Sequence, residues 1–349
     1  MLASVGLMAA ACQDKIDNEP KPSAKEGDEV VFGATLDEAA SRTIYGPENP
    51  GVSFPIYWLK EDKMIVASQQ GCTGRNVADY GVNPDAFEQG KETSKYAGTL
   101  LKKGDTGVQW GESNTADFYS IYPQRTDREQ YTVTTTNGSS FDINVPNEQR
   151  CKVAPKKEID PETYSGVNTP GMKTADMNAC FMYAKKSGVT IGEEVNLKYV
   201  PFATAIRFTL TAPSSLKQGE TELTIGNIKL EAPTTCPITG KYTVDLTSVT
   251  ETKKYPTVTA TEATNTVNMF AEYTSQGSLT LEPNESIELN IFLMLDSDTK
   301  YDISKGWKLT VNVNSTPLTL LLDGTVATGG NGILKHGSIQ RLPTLPVLT

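Results

Sequence analysis

The side chains of this 349-residue chain that could do chemistry are few and scattered. His336 is the single histidine, set between Lys335 and Gly337. One histidine cannot build a histidine metal cluster. A Ser-His-Asp triad would have to use it, and no Gly-x-Ser-x-Gly elbow accompanies it. A solvent-exposed loop residue is the expected role. Carboxylates gather in Glu193-Glu194, Asp296-Ser297-Asp298 and Asp127-Arg128-Glu129. Glycoside hydrolysis needs only two carboxyls at the right separation, but acidic pairs in turns ordinarily form solvated faces. Asp296-x-Asp298 lacks the glycine and terminal glutamate of a calcium loop. Gly329-Gly330-Asn331-Gly332 is not followed by the Gly-Lys-Ser/Thr of a phosphate loop. The expectation is therefore a non-enzyme, with no catalytic residue, cofactor or metal site.

Two other chemistries are more specific. The apolar run from Leu2 ends in Ala9-Ala10-Ala11-Cys12. Small residues before a cysteine match a bacterial lipobox, in which signal peptidase cuts and Cys12 takes a lipid. Ala9 stands where that pattern has a larger aliphatic residue, and no basic stretch precedes the run, which points to a start further upstream. The run falls short of the roughly 20 apolar residues of a spanning helix, so attachment is expected through an anchor. The second chemistry is proteolysis. Ala39-Ala40-Ser41-Arg42-Thr43 offers small residues leading to one arginine, a substrate for an arginine-specific protease if exposed. The remaining cysteines, Cys72, Cys151, Cys180 and Cys236, contain no Cys-x-x-Cys pair, which argues against zinc. An exported protein could oxidise them in any of three pairings, and buried free thiols are an equal alternative.

These residues need elements to hold them. Just before Arg42, Val30, Phe32, Ala34 and Leu36 alternate with Val31, Gly33, Thr35 and Asp37. That period of two predicts a half-buried strand. A core strand followed by a cut site is an unusual pairing: cleavage after folding would leave an open groove. An ordinary first strand and an ordinary surface arginine are the plainer alternative. Residues 13–28 are polar with two prolines and suit a flexible tether.

The net charge of −10 disfavours nucleic acid, whose phosphates need clustered Lys and Arg. Aromatic residues are 8 % and charged residues 21 %, with short Val- and Tyr-bearing runs, as in an all-β surface protein. Strands are expected within 54–67, 116–123, 195–199, 205–212, 222–230, 242–246, 266–270, 278–281, 286–295, 307–313 and 317–322. Asn137-Gly138 predicts a hairpin joining 131–136 to 141–146. Residues 68–94 and 147–178 read as loops. No long helical period interrupts the series, which predicts β-sandwich packing. The expected division is 1–12 leader, 13–42 tether and removable strand, 43–190 first β domain, and 191–349 second β domain. Ile339, Leu342, Leu345 and Leu348 make the last segment apolar, while its prolines confine it to an edge.

The order of these features is specific. Cys12 and a polar tether precede Val31-Phe32, then Ser41-Arg42-Thr43, Tyr57-Trp58 and Ile65-Val66. Phe118-Tyr119-Ser120-Ile121-Tyr122-Pro123 follows, then Leu197-Lys198-Tyr199-Val200-Pro201 and Ala205-Ile206-Arg207-Phe208-Thr209-Leu210. From Cys12 to about Leu348 the chain resembles the fimbrillin family, the type V pilins of Bacteroidales. The resemblance implies two transthyretin-like β-sandwich domains in series and a lipidated outer-membrane precursor that reaches the cell surface. It implies trimming by an arginine-specific surface protease, here between Arg42 and Thr43. The vacated groove then takes a strand from another pilin subunit. In stalk subunits the donor is C-terminal, which places it at 337–349 with Ile339, Leu342, Leu345 and Leu348. Tip subunits accept a strand but need not donate one, and anchor subunits can keep their first strand.

A structural subunit of a fimbria that supports adhesion is thus the leading expectation. The alternative is a surface lipoprotein that binds glycans on aromatic rings. Trp58 and Trp307 are expected in cores, and Trp110, within Gly107-Val108-Gln109-Trp110-Gly111, is the candidate exposed ring.

Overall fold

The structure is a computed structural model. It describes residues 24–36, 58–89, 93–94, 97–153, 173–174, 176–273, 278–322, 332–342 and 345–348. Those residues form an all-β fold of packed sheets; the only helical elements among them are short 3-10 turns. None of the described helices is long and apolar enough to cross a membrane.

A seven-stranded sheet organises the first half. Its order is Phe32–Leu36, Val195–Pro201, Met182–Thr190, Thr115–Tyr122, Lys63–Ala67, Val77–Gly81 and Leu101–Lys102. Alternation sorts its side chains to two faces. Phe118 and Tyr122 point to one core with Phe32, Met64, Val66 and Tyr199, which Trp58, Val108 and Trp110 close from outside the sheet. Tyr119 and Ile121 point to the other, with Ile65 and Tyr183. That second core is completed by Phe141, Ile143, Tyr242 and Val244. These come from a four-stranded sheet in the order Thr257–Thr264, Thr239–Asp245, Ser140–Val145 and Thr134–Thr135.

The second half is a sandwich. One layer runs Lys173–Thr174, Glu148–Val153, Thr266–Tyr273, Leu223–Glu231, Trp307–Val313 and Thr316–Leu322, with Leu279–Leu281 also on Leu223–Glu231. The other is a three-stranded sheet of Ser286–Leu293, Thr204–Thr211 and Ile339–Arg341. Ile206, Phe208, Leu289 and Ile291 of the smaller layer meet Ile228, Leu230, Leu309 and Val311 of the larger. Stacked inner faces of this kind bury alternate residues of every strand.

Several expectations shift. The Asn137-Gly138 hairpin forms, with Gly138 at φ +77° and the Asn137 amide oxygen accepting from the Ser139 and Ser140 N–H groups. Within the stretch read as loop, Val77–Gly81 is a strand, paired with Lys63–Ala67. Glu148–Val153, also read as loop, is a strand parallel to Thr266–Tyr273, and Thr257–Thr264 is a strand not foreseen. Val195–Pro201, beyond the division expected near 190, belongs to the first sheet. Strands between 140 and 153 reach across to pair with strands of the second half.

Candidate functional site

Phe32–Leu36 lies parallel to Val195–Pro201, in register from Phe32 opposite Val195 to Leu36 opposite Tyr199. The Val195 N–H donates to the Val31 carbonyl at 2.9 Å. The opposite edge is also bonded, by an irregular segment at 97–110. Leu100 N–H donates to the Phe32 carbonyl at 2.7 Å, and Val30 N–H donates to the Val108 carbonyl at 2.9 Å. Further back, Trp110 N–H donates to Asp28 at 3.0 Å and Gly27 N–H donates to Trp110 at 2.9 Å. The first strand is thus held along both edges, and its departure would orphan main-chain groups on each.

Its side chains follow the predicted alternation. Val30, Phe32 and Ala34 are buried and Leu36 is half-buried against the same core, whereas Val31 is 51 % exposed. Phe32 meets Tyr80 and Phe118 edge to face, with centroids 5.1 Å and 5.3 Å away. Gly33 faces the other way, where an added Cβ would sit 3.2 Å from both the Asn196 and Glu194 side-chain oxygens. Each large apolar side chain in such a slot contributes roughly 1.5–3 kcal/mol.

Two polar contacts fix the rim. Glu29 Oε1 lies 2.5 Å from Lys102 Nζ and accepts from Gly107 N–H at 3.2 Å. The hydrogen bond from Lys102, then that from Gly107, holds the Glu29 carboxyl below its ordinary range. The Tyr80 hydroxyl accepts from Val108 N–H at 2.8 Å. Burial pushes the Tyr80 phenol up to about 12, so it stays neutral as a hydrogen-bonding post.

The C-terminal segment is docked on its own chain. Ile339–Arg341 runs parallel to Thr204–Thr211, and Leu342 N–H donates to Arg207 at 2.7 Å and Leu348 N–H to Thr211 at 2.9 Å. Leu342, Leu345 and Leu348 are buried in the core of the second half, while Ile339 packs half-buried on the neighbouring core. Arg341 at 49 % exposure and the buried Arg207 both approach Glu288, at 3.8 Å and 3.4 Å.

Other candidates fall differently. Cys12, Arg42 and Thr43 lie outside the described residues. Cys151, Cys180 and Cys236 are buried thiols, and Cys72 is a half-buried thiol. Trp110, expected at the surface, is buried at 2 % exposure, its ring edge to face with Phe118 in the first core and its main chain bonded to Asp28 and Gly27. Trp58 and Trp307 are fully buried as well, so no tryptophan offers a stacking platform. His336, expected in solvent, is half-buried against Tyr255. The wall at 97–110 was not foreseen; it is mostly irregular backbone and carries no strand period.

No family model and no curated protein matches the chain. Solved structures do. A protein described as a cell adhesion protein from Bacteroides ovatus is 12 % identical, with 90 % of this chain and 91 % of that one covered and a TM-score of 0.46. A cell adhesion protein so described from Bacteroides uniformis is 13 % identical over 89 % and 91 %, with a TM-score of 0.45. The fimbrial anchor protein Mfa2 from Porphyromonas gingivalis is 9 % identical over 89 % and 88 %, with a TM-score of 0.35.

Proposed function

We propose that this chain is a structural subunit of a cell-surface fimbria, assembled by strand exchange once proteolysis after Arg42 releases its first strand. In this reading Cys12 carries the lipid that holds the precursor at the outer membrane, and the assembled fibre supports adhesion. The observation that carries it is the seat of Phe32: a buried ring on a five-residue strand that completes a core and is hydrogen-bonded along both edges. Its neighbours on both edges would be left with unpaired N–H and C=O groups if it left. A second strand with the same alternation restores both the apolar contacts and the ladder, which is β-augmentation. Uncut protein holds its own strand and stays monomeric.

The apolar C-terminal residues Ile339, Leu342, Leu345 and Leu348 are the donor in this reading, which requires that segment to leave the Thr204–Thr211 strand.

The test is incubation of purified precursor with an arginine-specific protease, followed by mass spectrometry and native sizing. Cleavage after Arg42, loss of residues 13–42 and growth of multimers are expected. Arg42→Ala should remain monomeric with its N-terminal segment intact. Multimers formed by Arg42→Ala at the wild-type rate, or cut protein that stays monomeric without its first strand, would refute the proposal.

A further inference from the structure

We infer that His336 is a proton-operated catch, which holds the C-terminal segment on the Thr204–Thr211 strand when neutral and loosens it when protonated. The inference concerns docking within one chain and does not rest on the fimbrial reading.

The geometry is that of a tightly clamped hinge. The Lys335 carbonyl accepts from Thr204 Oγ1 at 2.8 Å and from Ser338 Oγ at 2.6 Å. Gly337 N–H donates to the Phe202 carbonyl at 3.2 Å, and Ala205 N–H donates to Ser338 at 2.9 Å, the first rung of the parallel ladder. Gly337 adopts φ +63°, and an added Cβ there would lie 2.4 Å from the Pro201 carbonyl oxygen. The hinge therefore has little freedom to re-seat a neighbouring side chain. His336 sits in the middle of it, its ring 6.0 Å from that of Tyr255 and inclined at 35°. Its Nδ1 is buried with no hydrogen-bond partner.

Neutral imidazole tolerates that site better, because an unprotonated Nδ1 left idle forgoes one hydrogen bond and carries no charge. Protonation adds a positive charge to a buried ring and a donor at an Nδ1 that has no partner, which is far costlier. The surrounding charges do not rescue it. Lys253 opposes the imidazolium, Lys335 is its chain neighbour, and Lys254 stands 5.5 Å over the Tyr255 ring. Asp296 favours the imidazolium, but its carboxylate already accepts from Ala260 N–H at 2.7 Å and Asp298 N–H at 2.9 Å. The Phe202 backbone hydrogen bond also favours the charged ring, yet burial outweighs both and depresses the histidine pKa below its ordinary value. A group with a lowered pKa when docked supports docking above its free value, near 6.5, and that support is lost as pH falls below it. No other histidine in the chain titrates there.

The experiment is hydrogen exchange by mass spectrometry on the full chain from pH 7.5 to 5, corrected for intrinsic exchange, with NMR titration of the single imidazole. Protection of peptides covering 338–348 should fall about tenfold per pH unit below the free histidine value, until the docked pKa is reached. His336→Gln and His336→Phe should keep constant protection across that range. An imidazole titrating at or above about 6.5, pH-independent protection in the wild type, or an equal loss in both variants would overturn the inference. Assembly is not part of the readout, so failure of the fimbrial proposal leaves this result independent.

Discussion

Phe32 and Tyr80 meet edge to face across the first strand's seat, their ring planes inclined by 71°. The same Tyr80 hydroxyl binds Val108 N–H, so one residue touches both the strand's side chain and the irregular wall that flanks it. Removing the Phe32 ring leaves a cavity between Tyr80 and Phe118. Phe32→Ala is expected to cost about 3–5 kcal/mol. The loss should appear first as faster hydrogen exchange at 27–36 and only then as a lower global midpoint. Unchanged exchange there would mean that the ring does not hold the strand.

The Glu29–Lys102 pair at the rim should matter much less. Both side chains are more than a third exposed, at 43 % and 38 %, and solvent screens them. Glu29→Gln is expected to cost less than about 1 kcal/mol, and the difference from wild type should vanish in concentrated salt. The sign with pH follows from the lowered carboxyl pKa. Its contribution is present above the ordinary glutamate value and is lost as pH falls through the depressed one. Thermal melts of both proteins at low and high salt, at pH 7 and in acid, check each part.

The first strand was legible because alternation is a local signal: Val30, Phe32 and Ala34 point where period two puts them. The Asn137-Gly138 hairpin was legible for a similar reason, since the turn chemistry lies within four residues. The strands that escaped notice depend on distant partners. Glu148–Val153 is mostly polar, and it becomes a strand beside Thr266–Tyr273 with Cys151 in the core and Arg150 paired to Glu272. Trp110 sits between glycine-flanked polar residues that suggest exposure. Distant partners bury it: its ring meets Phe118 edge to face, and the chain at 27–28 returns to bond its main chain. The burial of His336 is hidden from its local sequence in the same way, because the surface that covers it comes from Tyr255, some eighty residues earlier. No short window of sequence contains these contacts.

Leu345 and Leu348 anchor the far end of the C-terminal segment, at 3 % and 1 % exposure. Truncating either is expected to cost about 2–5 kcal/mol of docking. Leu348 also walls a cavity of about 250 Å³ shared with Leu216, Leu223, Val313 and Leu318. Leu348→Ala should enlarge that space. Val347→Ala, at a side chain 43 % exposed, should be nearly neutral and serves as the control. Exchange protection of the Leu348 amide in the three variants separates these outcomes. Equal effects of Val347→Ala and Leu348→Ala would show that the segment is not seated by its leucines.

Gln149 ties the two layers of the second-half sandwich by imitating a strand. Its amide nitrogen donates to the Phe292 carbonyl at 2.7 Å, and its amide oxygen accepts from Phe292 N–H at 2.9 Å. The side chain is 1 % exposed, so water cannot take over either bond. Gln149→Ala would strip one partner from each of two main-chain groups, at about 1–3 kcal/mol apiece. Gln149→Glu keeps the shape but sets an acceptor against the Phe292 carbonyl and buries a charge, so it should be worse than alanine at neutral pH. In acid the protonated carboxyl can again donate to that carbonyl. The gap between the glutamate variant and wild type should therefore narrow as pH falls, in urea unfolding at pH 7 and pH 4. A glutamate variant as stable as wild type at neutral pH would mean that the amide pairing with Phe292 does not bear on stability.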